Sequence, residues 1–162
     1  MKKIIFTTTI ICLIFGITFF SIAFNQSGPD YKLVFENDDI LSFHITVNSE
    51  DWLRMWDRPF QYVKCTVKFG DEVYKNVGLR FKGNSSSSVR GLKKSYKFKF
   101  DEFKKQDFHG FKKLNFSNGF KDPSLLREKI AYDLLSEAGV PASRATFAKL
   151  YLTIDGHYDD EY

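Results

Sequence analysis

Two runs of alternating apolar and polar residues flank Gly70-Asp71, and this pattern ties the chain to a fold built on an antiparallel sheet. Val63, Cys65, Val67 and Phe69 share one side of residues 60–69. After the turn, Val73, Val77, Leu79 and Phe81 face one way along residues 72–82, with Arg80 and Lys82 facing the other. A period of two is the strand period, and a Gly-Asp turn between two such runs predicts a hairpin. Residues 31–36, 40–47, 95–101, 112–117 and 147–154 predict further strands. In the second of these Leu41, Phe43, Ile45 and Val47 share a face, and His44 points away. Helices are expected at 49–56, with Ser49 as its cap and Arg58-Pro59 as its stop, and at 122–139. The longer helix starts at Asp122-Pro123-Ser124, ends at Gly139 and is followed by Pro141. The expected fold class is α+β: an antiparallel sheet with one long helix packed on it. Asp155-Gly156 should turn into a return strand, and residues 157–162 read as too little to form it, so the sheet is expected to be truncated there.

The chain has 162 residues with 18 Phe and 8 Tyr, enough apolar surface for a single core. Residues 4–24 carry no charge and follow Lys2-Lys3. That layout fits a secretory signal cleaved after Ala23, or an uncleaved membrane anchor. Either way the rest is expected outside the cytoplasm, secreted or membrane-anchored. The organisation is then a signal or anchor at 1–23, a linker at 24–30 and one domain at 31–162, with membrane contact through the N-terminal segment alone. The net charge of +4 includes Lys2 and Lys3, and the remaining basic residues are interleaved with acids. No general nucleic-acid footprint follows. Past the apolar segment Cys65 stands alone, in phase with Val63 and Val67, and reads as a buried thiol. His44, His109 and His157 are scattered, and no zinc spacing occurs.

Two cations are out of place for a bland domain. At about 100° per residue, Arg127 falls within the stripe of Leu126, Ile130, Ala131, Leu134 and Ala138, in the first turn of the long helix. Free N–H groups there favour an anion, so Arg127 predicts either a phosphate or a structural carboxylate as its partner. Lys94 is in phase with Tyr96, Phe98 and Phe100, whereas Lys93, Lys97 and Lys99 take the solvated side. That phase leaves two readings open, the first a lysine turned inward beside Gly83-Asn84-Ser85-Ser86-Ser87-Ser88, a loop whose N–H groups and hydroxyls suit phosphate. A lysine left at the surface by a slip of phase is the alternative. Walker, H-R-D, D-F-G and G-x-S-x-G signatures are missing.

Three blocks together resemble the CotH-type (spore coat protein H) atypical kinase family. They are Val77-Gly78-Leu79-Arg80-Phe81-Lys82-Gly83-Asn84-Ser85-Ser86, Lys93-Lys94-Ser95-Tyr96, and the run from Leu114-Asn115 through Asn118, Asp122, Ser124 and Leu126-Arg127-Glu128 to Leu134. The likeness covers about residues 35–158. It implies an atypical kinase N-terminal lobe, and ATP-dependent serine phosphorylation of coat or surface proteins with a divalent metal. By position Lys94 would contact phosphate, Arg80, Asn84, Ser85 and Arg127 would complete the nucleotide site, and Glu128 would orient the lysine. Glu128 falls about 200° from Leu126 on the helix wheel and would have to lean in. The family's catalytic and metal-binding acids follow the matched blocks, so this chain is expected to supply no catalytic or metal residue and to be inactive alone. The alternative is a non-catalytic coat or cell-surface module that binds a protein through Trp52, Trp56 and Tyr62.

Overall fold

Residues 28–87, 91–155 and 158–161 are described by the computed structural model. The 1–23 segment, Ser88, Gly156 and His157 lie outside them. The elements are α1 (Tyr31–Phe35), β1 (Leu41–Val47), α2 (Ser49–Asp57), β2 (Val63–Phe69), β3 (Glu72–Phe81), β4 (Tyr96–Lys99), β5 (Lys113–Phe116), α3 (Arg127–Glu137), β6 (Ala148–Ile154) and β7 (Tyr158–Glu161). The α+β class holds. One seven-stranded sheet runs in the order β5-β4-β3-β2-β1-β6-β7.

The sheet is mixed rather than wholly antiparallel. β1 and β6 pair in parallel, from Leu41↔Ala148 to Val47↔Ile154. The long connection between them gives the chain room to return in the same direction, which a tight turn would forbid. The return strand expected to be missing is present: β7 pairs antiparallel with β6, with Ile154 opposite Tyr158 and Leu152 opposite Glu161.

The predicted 31–36 strand is instead the short helix α1. Asp30 caps it by accepting from the Leu33 N–H at 3.1 Å. One helical turn sets Tyr31 and Phe35 together against Phe111, with ring centroids 5.3 and 5.8 Å away. The helix α2 is capped by Asn48, not Ser49: the Asn48 side chain accepts from the Asp51 N–H at 2.7 Å.

Alternation places the core on one face of the sheet. Phe43, Ile45, Val47, Val63, Cys65, Val67, Val77, Leu79, Phe81, Phe98 and Ile154 are all buried there. Burial pushes the Cys65 thiol well above its usual range, as expected of an inert core thiol. Val73 leaves the predicted phase and is 53% exposed. The cause is a β-bulge: Cys65 pairs with Val77 but Val67 pairs with Tyr74, so β3 carries an extra residue. Asn76 absorbs it with φ +58°, and Tyr74 turns towards the core in place of Val73.

The long helix does not pack on the sheet. Leu126, Ile130 and Leu134 form the predicted stripe, yet they are 44%, 49% and 59% exposed. The core face is already covered from elsewhere, by Trp52 and Met55 of α2 and by Phe108. Phe108 meets Phe43, Phe69, Tyr74 and Phe100, with ring centroids 5.1–5.5 Å away. Phe108→Ala should therefore destabilise the domain by about 3–5 kcal/mol, read from the midpoint of urea unfolding.

Candidate functional site

Lys94 is turned inward, as its phase allows, and is 3% exposed. Its ammonium donates to the Ser87 carbonyl at 2.8 Å. It also lies over the Trp56 ring at 4.2 Å and the Phe81 ring at 5.3 Å. These contacts link the loop after β3, helix α2 and the start of β4 through one charge. Burial holds the Lys94 pKa below the usual lysine value.

The loop is shaped from within. Gly83 has φ +84°, and a Cβ there would overlap the Ser86 hydroxyl oxygen, so only glycine fits. Ser86 donates to the Lys82 carbonyl at 3.1 Å, and Ser87 to the Asn84 carbonyl at 2.7 Å. Asn84 and Ser85 are exposed at the tip.

The start of β4 is tied to the segment leading into α3. Ser95 donates to Asn118 Oδ1 at 2.9 Å, the Asn118 N–H returns to Ser95 Oγ at 3.1 Å, and the Asn118 amide donates to the Lys93 carbonyl at 2.9 Å. This clamp brings Lys93 beside Lys121 and Asp122 around an open cleft of about 310 Å³, also lined by Gly119, Pro123 and Leu125. Lys93, Lys121 and Asn118 were not among the predicted site residues. Asn118-Gly119 was a visible turn signal, but only the clamp shows that it adjoins Lys93.

The remaining predicted residues make other contacts or are exposed. Arg127 does not face the core: its side chain is 74% exposed, and its guanidinium lies 3.6 Å from Asp122. Asp122 is the structural carboxylate allowed for above. It accepts from the Arg127 N–H at 3.0 Å and from the Ser124 hydroxyl at 2.6 Å. The Ser124 hydroxyl, then the backbone donors and Arg127, hold its carboxyl below the usual range. The helix proper begins only at Arg127, because residues 122–126 form this capping turn. Glu128 is exposed in the first turn. Arg80 alternates with buried Leu79 and Phe81, so it emerges on the face opposite the Phe81 ring and Lys94. Trp52, once a candidate for a surface patch, is buried at 5%, while Trp56 is 40% exposed.

Residues 79–159 match the family described as CotH kinase protein. The chain belongs to this family. An 88-residue stretch, 54% of the chain, is 33% identical to inner spore coat protein H of Bacillus subtilis (strain 168). That stretch spans 22% of the relative's length. In this CotH-family chain the family match includes the Gly83 loop, Lys94, the Asn118 clamp and α3.

Lys94 should show in the pH dependence of stability. Burial makes the folded state release its proton more readily than the unfolded one, so the unfolded state binds more protons just below 10.5. Stability should therefore rise as pH approaches that value, and Lys94→Met should lose this rise. Comparing the two proteins' urea midpoints across that window isolates Lys94 from the tyrosines. Asp122→Ala should leave the sheet intact and speed hydrogen exchange in the first turns of α3, measured residue by residue.

Proposed function

We propose that this chain forms the phosphate-binding end of a CotH-type protein serine kinase. It would hold ATP over the Gly83 loop and the Lys93–Lys121 cleft. The observation that carries this reading is Lys94, a lysine buried under a Gly/Ser loop, with its ammonium bonded to the Ser87 carbonyl of that loop. The cleft has the size of a small ligand site and presents two cations beside it. Trp56 offers a partly exposed ring next to the same ammonium. The protein substrate would be a coat or surface protein, and the working place outside the cytoplasm. The named relative, a spore coat protein, supports the first part of that. Residues 1–23, which this reading takes as an export segment, lie outside the described residues, among which no helix is long and apolar enough to cross a membrane.

Among the described residues, no group of three or more His, Cys, Asp or Glu side chains is gathered. The reading concerns nucleotide binding by this chain. Arg80, on the far face, and Arg127, tied to Asp122, are not part of it.

The second reading is a non-catalytic coat or surface module. It draws on the same geometry: the Ser87 carbonyl and Trp56 face already engage Lys94, and Asp122 already fills the start of α3. Titration of the full chain with ATP, followed by Trp fluorescence, separates the two. Saturable binding, weakened at least about tenfold in Lys94→Met, is expected for the kinase reading. Equal binding by Lys94→Met, or none by either protein at millimolar ATP, would favour the coat module.

A further inference from the structure

The face of the sheet opposite the core carries Lys64 on β2, Arg80 on β3, Lys97 and Lys99 on β4, and Lys113 on β5. Register sets like charges directly opposite one another: Arg80 faces Lys97, and Lys99 faces Lys113. Such pairs destabilise a sheet unless something negative lies over them. Among the described residues, Asp101 and Glu102 are the carboxylates that act on Lys99. Glu102 lies over Gly78 and bonds Lys99 at 2.5 Å. The excess of cations over carboxylates remains.

Aromatic rings hold these cations in place. The Arg80 guanidinium sits 5.3 Å from the Tyr62 centroid and 5.9 Å from that of Phe60. Lys99 lies over Tyr62 at 5.9 Å, and Lys64 over Phe103 at 5.6 Å. Arg80 is further fixed by its bond to the Phe81 carbonyl at 3.0 Å. Charged side chains restrained in this way lose less freedom when they meet an anion.

We propose that this face binds an acidic protein segment in extended form, with carboxylates at alternate positions. Lys97 and Lys99 are two residues apart on one strand, about 6.6 Å. That is also the repeat of alternate side chains along an extended peptide lying parallel to β4. Arg80 adds a planar fork suited to a carboxylate. Nucleic acid fits less well. Its bases would stack on open ring faces, and here a cation already lies over one side of each of the Phe60, Tyr62 and Phe103 rings. The site lies on the other side of the sheet from Lys94 and does not depend on the nucleotide reading.

Fluorescence anisotropy tests this with the full chain and a labelled peptide of roughly six Glu-Ser repeats. The acidic peptide should bind, a matched Lys-Ser peptide should not, and binding should weaken between about 0.05 M and about 0.5 M NaCl. The pair Arg80→Gln/Lys97→Gln should weaken it at least about tenfold. The pair Lys97→Gln/Lys113→Gln, which leaves the Arg80 ring packing untouched, should do so in the same direction without lowering the melting temperature. No binding of the acidic peptide, undiminished binding by both variants, or tighter binding of an oligodeoxythymidine of matched length would each overturn the proposal.

Discussion

Phe81 is where the core and the candidate site meet. Its ring is 1% exposed and lies 5.5 Å from Trp52, 5.4 Å from Trp56 and 5.9 Å from Tyr96. The Lys94 ammonium lies over the same ring, 5.3 Å from its centroid. Helix α2, the last residue of β3 and the start of β4 are therefore fixed relative to one another by a single aromatic cluster. The buried charge is tolerable because that cluster offers ring faces and the loop above offers a carbonyl. Without this packing Lys94 would be a loose surface cation, and the Gly83 loop a plain turn.

The sheet's two faces divide the labour. One is apolar and closed by α2, Phe108 and the segment around it; the other is basic and aromatic. Arg80 lies on β3 and Lys94 just ahead of β4, and strand alternation sets Arg80 on the side of the sheet opposite Phe81, over whose ring Lys94 lies. A family pattern read along the chain groups them, because a motif has no sidedness until its strand is placed. The same reasoning explains Val73. One extra residue at Asn76 reverses the phase of every position beyond it.

Much of the molecule was legible from periodicity. The β2–β3 hairpin, the apolar phase of Lys94, the buried Cys65 and the Gly139 stop all came from local rules. Gly139 ends α3 at φ +72°, with the Gly139 N–H on the Ser136 carbonyl and the Val140 N–H on the Leu135 carbonyl, as a Schellman motif requires. The start of that helix was harder to read. Arg127 on a helical wheel belongs to the apolar stripe, but a wheel assumes that the stripe is covered. Here it is not, and the guanidinium turns to Asp122 instead.

Local chemistry along the chain thus determined which residues alternate, where the turns fall, that Lys94 is in phase with the apolar face of its strand and that the chain carries the CotH-family blocks. These depend on neighbours a few positions apart, which any reading of the order of residues contains. Only the tertiary structure decided that β6 runs parallel to β1, that Asn118 clamps β4 to the approach of α3, and that Arg80 lies across the sheet from Lys94. Those facts rest on contacts between residues far apart in sequence, and no local rule holds the information that sets them.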